Sequence, residues 1–186
     1  MKSYSLEGIV IKRSNFGEAN KLVTLFTNTH GKVTLVAKGL RKLSSKRAGP
    51  LELFNHVKLH AVHGRGELDI LTEVQLINSF PAWRKQLGRV TLAYQLAEVV
   101  DKLTPDSQSH PEIFALLLHS FSQISRLNSN WKLNLESWIL NILVELGFWP
   151  KDQNFTGNIT KLVEEISDRQ FNSPRLLDKL SQKVFT

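Results

Sequence analysis

Apolar and polar residues alternate with a period of two through the first third of the chain. Beyond Pro81 the spacing changes to three and four. A period of two marks strands with one face buried, and a period near 3.6 marks amphipathic helices. The first strand is predicted over residues 5–13, with Leu6, Gly8, Val10 and Lys12 on one face and Glu7, Ile9, Ile11 and Arg13 on the other. Asn15-Phe16-Gly17-Glu18 breaks it. Residues 21–27 and 32–37 form a hairpin across the Asn28-Thr29-His30-Gly31 turn. Residues 53–62 and 67–78 form a second hairpin across His63-Gly64-Arg65-Gly66.

Five short strands in about 80 residues make a poor flat sheet, because both edges stay open and one face stays wet. A closed barrel removes both problems. The five-stranded Greek-key OB-fold is the common solution at this length, with an SH3-like barrel as its competitor. The helical half is predicted to begin with a helix over residues 82–103, whose stripe is Trp83, Leu87, Val90, Tyr94, Ala97 and Val100 or Asp101. A second helix starts at Pro111 and carries Phe114, Leu117, Phe121 and Ile124. A third, over 131–146, is apolar nearly all round and is expected to be the centre of a bundle. Gly147 suits the left-handed position that ends it. Shorter helices are expected over 159–167 and, after Ser173-Pro174, over 175–183. The expected class is therefore α+β and multi-domain: a nucleic-acid-binding OB-fold barrel over 1–80, followed by an all-α helical bundle over 81–186.

The 186 residues carry a net charge of +7, and its placement changes the picture. Residues 1–81 hold 12 basic and 6 acidic side chains, whereas 82–186 hold 12 and 11. Most of the excess lies between the third and fourth strands, in Lys38-Gly39-Leu40-Arg41-Lys42-Leu43-Ser44-Ser45-Lys46-Arg47-Ala48-Gly49-Pro50, which has five basic residues and no acid. Burying those charges unpaired would cost several kcal/mol each. A flexible basic loop is expected, suited to tracking phosphates. A merely solvated loop would not require such one-sided charge.

Little else in the sequence suggests catalysis. No phosphate-cradling loop, dinucleotide fingerprint or nucleophile elbow occurs. The acids of the basic half, Glu7, Glu18, Glu52, Glu67, Asp69 and Glu73, are scattered, which argues against a two-metal nuclease. His56 and His60 share a strand face and His63 does not, so they do not converge on a metal. Zero cysteines remove disulfides and thiolate sites. Phe16 and Phe54 could stack on bases or fill the barrel. Trp83, Trp131, Trp138 and Trp149 are expected in cores or at domain interfaces. No run nears the roughly 20 apolar residues that cross a bilayer, and the opening residues lack a signal-peptide core. A soluble, cytoplasmic protein is expected.

The ordered motifs Gly8-Ile9-Val10-Ile11-Lys12-Arg13-Ser14-Asn15-Phe16-Gly17-Glu18-Ala19-Asn20-Lys21, His30-Gly31-Lys32-Val33, Val36-Ala37-Lys38-Gly39, Gly49-Pro50-Leu51-Glu52-Leu53-Phe54, Leu68-Asp69-Ile70-Leu71 and Tyr94-Gln95-Leu96-Ala97-Glu98-Val99-Val100-Asp101 resemble the bacterial DNA repair protein RecO family over roughly residues 6–148. The resemblance implies an OB-fold followed by a helical domain, no enzymatic turnover and no cofactor. It implies binding of single- and double-stranded DNA and annealing of complementary strands. Implied partners are RecR, RecF, RecA and the acidic, hydrophobic C-terminal tail of the single-strand DNA-binding protein. Carried onto this chain, the DNA-binding candidates are Lys12, Arg13, Lys38, Arg41, Lys42, Lys46 and Arg47. Many relatives hold zinc with four cysteines in the helical half. The cysteine-free helical half here is expected to be shorter and held by packing alone, with Arg84, Lys85 and Arg126 as rim charges for an acidic peptide. The alternative function is a protein-docking adaptor for acidic tails that binds little DNA.

Overall fold

The computed structural model describes residues 3–170 apart from 43, 128 and 129, so the helix expected over 175–183 lies outside the described residues. The described chain divides into two compact units. One holds the residues up to Ser79 together with Pro105–Phe114, and the other holds Phe80–Thr104 and the residues from Ala115 onward.

In the first unit five strands, β1 (Ser3–Phe16), β2 (Asn20–Thr27), β3 (Gly31–Ala37), β4 (His56–Val62) and β5 (Asp69–Asn78), close into a barrel in the order β1-β2-β3-β5-β4. All neighbours are antiparallel except β3 and β5, which run parallel through Leu35↔Asp69 and Val36↔Ile70. Alternation puts Leu6, Val10, Val23, Leu25, Leu35, Val57, Leu59, Ala61 and Leu71 inside, all nearly or fully buried. The fourth strand begins at His56 rather than at 53, because Phe54 takes a left-handed conformation (φ 68°). Phe54 N–H still bonds the Val10 carbonyl at 2.7 Å, and its ring is buried. Phe16 is exposed, so of the two phenylalanines with open roles one is core and one is surface.

Residues 105–109 lie along the start of β3: Ser107 N–H donates to the Lys32 carbonyl at 3.0 Å, and Lys32 Nζ meets Asp106 Oδ1 at 3.3 Å. The approach is close enough that a Cβ on Gly31 would stand 1.8 Å from the Gln108 carbonyl oxygen.

The helical unit differs from its prediction in two respects. The helix expected over 82–103 is two helices, α1 (Pro81–Arg84) and α2 (Leu87–Leu103), separated where Gln86 is extended. The predicted stripe holds only in part: Trp83, Ala97 and Val100 are buried, and Trp83 donates its indole N–H to the Phe121 carbonyl at 2.9 Å, whereas Leu87 and Tyr94 are exposed. Secondly, the hub is α2, which contacts α1, α4 (Trp131–Glu145), α5 (Ile159–Ser167) and the 3-10 turn Ile124–Arg126. The helix expected at the centre, α4, buries Trp131, Leu135, Ile139, Ile142 and Leu143 but exposes Leu133. Between these elements runs α3 (Pro111–Gln123), and Gly147 takes the expected left-handed conformation after α4 (φ 77°). Trp83 and Trp131 are core residues, whereas Trp138 and Trp149 are part-exposed.

Candidate nucleic-acid interface

Strict alternation would send Lys12 inward with Val10 and Arg13 outward. The structure reverses both. Val10 pairs with Leu25 and Lys12 with Thr24, so Ile11 is an extra residue, a β-bulge that flips the face of everything after it. Arg13, now opposite the inward-facing Val23, is 13% exposed and forms an ion pair with Glu52 (Nη1 to Oε2, 2.5 Å). Its Nε is buried without a partner. Lys12 emerges on the surface beside the β1–β2 turn.

The basic segment is also different from the flexible loop expected. The described residues between Lys38 and Asn55 form a chain of turns, with N–H donors of Lys42, Ser45, Ala48, Leu51 and Glu52 bonded to carbonyls three or four residues earlier at 2.9–3.2 Å. Leu40 and Leu51 anchor it in the barrel core. Its lysines and its arginines do different things. Arg47 donates from Nη2 to the Lys38 carbonyl (2.7 Å) and from Nη1 to the carbonyls of Leu71 (3.1 Å) and Thr72 (3.3 Å), tying the loop to the end of β3 and to β5. Arg41 donates from Nη1 to the Gly17 carbonyl at 3.1 Å, and its backbone N–H bonds Ala19, so the loop is fastened to the β1–β2 turn as well. Lys38, Lys42 and Lys46 are exposed.

The antiparallel order places the end of β1, the start of β2 and the end of β3 at one end of the barrel. Lys12, Lys38 and Arg41 therefore belong to one end, beside the exposed ring of Phe16. Clustered cations on an ordered scaffold can hold phosphates without reordering cost, and an adjacent aromatic face can accept a base.

The three β4-region histidines have separate partners. His56 Nε2 lies 2.9 Å from Glu7 Oε1, His60 Nδ1 lies 2.9 Å from Ser5 Oγ, and His63 Nδ1 lies 3.2 Å from Asp69 Oδ1. Among the described residues no group of three His, Cys, Asp or Glu side chains is placed to hold a metal. Asp69 also accepts from the Tyr4 hydroxyl at 2.5 Å. Burial, with the Asp69 carboxylate beside it, pushes the Tyr4 phenol up, and the bond from Tyr4 holds Asp69 below the usual carboxylate range. Nothing in the sequence links Tyr4 to a residue 65 positions away.

In the helical unit a groove of about 350 Å³ has Trp131, Leu135 and Ile159 among its walls and Lys132 and Lys161 at its rim. Arg84 instead lies over the Trp83 ring, 5.5 Å from its centroid. Arg84, Lys85 and Arg126 are not among the residues lining this groove.

Residues 1–80 match the family model described as Recombination protein O N terminal, and residues 84–154 match the one described as Recombination protein O C terminal. The chain belongs to the RecO family. Similar relatives include the DNA repair protein RecO of Symbiobacterium thermophilum, 36% identical over 150 residues that cover 81% of this chain and 59% of that protein. The RecO of Roseiflexus sp. is 36% identical over 148 residues, covering 80% of this chain and 51% of its own. That of Myxococcus xanthus is 33% identical over 153 residues, covering 81% and 62%. The chain thus spans between half and two thirds of the length of these RecO relatives. Among the described residues no helix is long and apolar enough to cross a membrane.

Proposed function

We propose that this chain is a noncatalytic DNA-binding recombination mediator, which binds single- and double-stranded DNA, anneals complementary strands and helps load RecA onto DNA coated by single-strand DNA-binding protein, acting with RecR and RecF. The observation that carries the reading is the division of labour in the basic segment. Arg47 and Arg41 fix the loop through backbone carbonyls, leaving Lys38, Lys42 and Lys46 exposed on an ordered surface, with Lys12 delivered to the same barrel by the bulge at Ile11. Each lysine that neutralises a phosphate releases condensed counterion, which steepens the salt dependence of binding by about 0.7 per contact on single strands. Two strands held on neutralised backbones repel each other less, which supports annealing. Arg13, paired with Glu52, and Arg47 have positioning roles in this reading.

The test replaces Lys38, Lys42 and Lys46 by Ala together and measures affinity for labelled single-stranded DNA across a salt series. The expected result is weaker binding and a log–log slope smaller by about 2. An unchanged slope would remove the loop from the interface.

The second reading, a docking adaptor for acidic tails, is favoured by the groove of the helical unit, where Trp131, Leu135 and Ile159 offer apolar surface and Lys132 and Lys161 outnumber the one acid, Glu136, as a short acidic, hydrophobic peptide such as the tail of the single-strand DNA-binding protein would need. Titrating DNA and tail peptide separately distinguishes the two: the adaptor binds peptide and little DNA, and the mediator binds both.

A further inference from the structure

The far end of the barrel, where β1 begins and β4 passes into β5, is stopped by an aromatic ring. Tyr4 lies against the aliphatic core, in the inward-facing set with Leu6 and Val10. Its hydroxyl is tied to Asp69 Oδ2, while Asp69 Oδ1 accepts from Gly64 N–H at 3.1 Å and meets His63 Nδ1 at 3.2 Å. The turn that supplies Gly64 is tight, since a Cβ there would stand 2.2 Å from the Leu68 carbonyl oxygen. Tyr4 is therefore held at its edge by a fixed network. Beyond it the mouth opens into a cleft of about 620 Å³, with Thr34, His30 and His63 on its walls. The rings of His30 and His63 lie 6.4 and 5.4 Å from that of Tyr4, tilted by 33° and 38°, so the three are splayed around the opening.

We propose that this mouth receives a single unstacked nucleobase of a bound strand, with the Tyr4 ring as its platform, an inference that rests on the reading of the barrel as a DNA-binding module. With the phenol oxygen occupied by Asp69 and part of the ring packed on the core, what is left for a ligand is the part-exposed ring surface that lines the cleft, and an aromatic surface is what every base can stack on. The charges at the opening favour a base over a phosphate. Lys32 is paired with Asp106, and Glu67 and Asp69 add further negative charge. Phosphates are repelled from this end and held at the basic end. The carboxylates of Glu67 and Asp106 can accept hydrogen bonds from exocyclic amino groups, which cytosine has and thymine lacks.

The experiment compares binding of the full chain to three fluorescent strands about 10 nucleotides long: deoxycytidine, thymidine, and a strand of the same phosphate count with abasic residues. The wild type is expected to bind the cytidine strand roughly tenfold more tightly than the abasic strand, the size of one base–aromatic stack, with thymidine between them. Tyr4→Leu, which keeps an apolar plug, is expected to cut that difference several-fold, any remainder belonging to Phe16 at the other end, while leaving the salt slope unchanged; an undiminished difference overturns the base site. A 2-aminopurine strand should be quenched by wild type and not by Tyr4→Leu. If Tyr4→Leu does not fold, the wild-type comparison of cytidine with abasic strands, together with the exposed-rim variant His30→Ala, decides. Equal affinity for cytidine and abasic strands overturns the base site and leaves the DNA-binding reading intact. Failure of the wild type to bind any strand overturns both.

Discussion

Arg47 separates a scaffold from a contact, and replacing it with Met tests which it is. The guanidinium donates to three carbonyls, at 2.7, 3.1 and 3.3 Å, and holds the loop against β3 and β5. Hydrogen bonds from charged donors contribute about 1.5–3 kcal/mol each. Thr72 and Lys38 are both exposed and their carbonyls can regain water, so the part-buried bond to the Leu71 carbonyl dominates. The expected loss is about 1.5–3 kcal/mol. Urea unfolding followed by circular dichroism reads the global effect, and amide exchange over residues 38–49 reads the local one. Both should change, because without the clamp the segment loses its bonds to β5 and keeps its short-range turns, the Leu40 and Leu51 anchors and the Arg41 and Gly39 bonds to the β1–β2 turn. DNA affinity should fall modestly with the salt slope unaltered. An unchanged unfolding midpoint and unchanged exchange, together with a slope loss of about 0.7 matching that of Lys46→Ala, would refute the scaffold role and make Arg47 a phosphate contact.

Other consequences are open to measurement. Gly31→Ala combines a left-handed backbone (φ 62°) with a Cβ 1.8 Å from the Gln108 carbonyl oxygen, so thermal unfolding should show a loss of about 3 kcal/mol or more. Trp83→Phe leaves the buried Phe121 carbonyl without its indole donor and should cost about 1–3 kcal/mol in denaturant unfolding, seen in the helical signal. The acid limb of stability should report Asp69. Its folded pKa is depressed, so its contribution is present above the unfolded value of about 4 and is lost as pH falls through the folded one. Tyr4 works in the opposite sense: its raised pKa keeps its contribution below the unfolded value of about 10 and loses it as pH rises further. Unfolding free energies measured from pH 2 to pH 7, conventional limits that bracket the carboxylate range, should rise less steeply in Asp69→Asn than in wild type. Identical curves would mean the Tyr4–Asp69 pair contributes nothing.

Periodicity and turn residues were sufficient for the strands and for most of the helices, because a barrel strand must alternate and a helix against a core must repeat near 3.6. The same local information carried the charge asymmetry, the +5 segment and the ordered motifs of the RecO family. It failed wherever one residue changed the register. The bulge at Ile11 falls in the run Ile9-Val10-Ile11, where three consecutive apolar residues do not mark one face, and it exchanges the fates of Lys12 and Arg13. The extended Gln86 breaks the predicted helix just before Gly88, a weak helix former that the apolar spacing alone passed over, and α2 beyond it is the hub.

The candidate sites depended still more on contacts distant in sequence. Composition marked five basic residues between β3 and β4 as a group. Only the carbonyls of Gly17, Lys38, Leu71 and Thr72, brought together by barrel closure, separate Arg47, which holds the loop, and Arg41, which fastens it while staying exposed, from the lysines it displays. Tyr4, Asp69 and His63 meet because β1, β4 and β5 share one end of the barrel. Sequence dictates which side chains are charged or apolar, since those are properties of single residues. Which charge stays available to a ligand is a property of its neighbours, and strand closure chooses them.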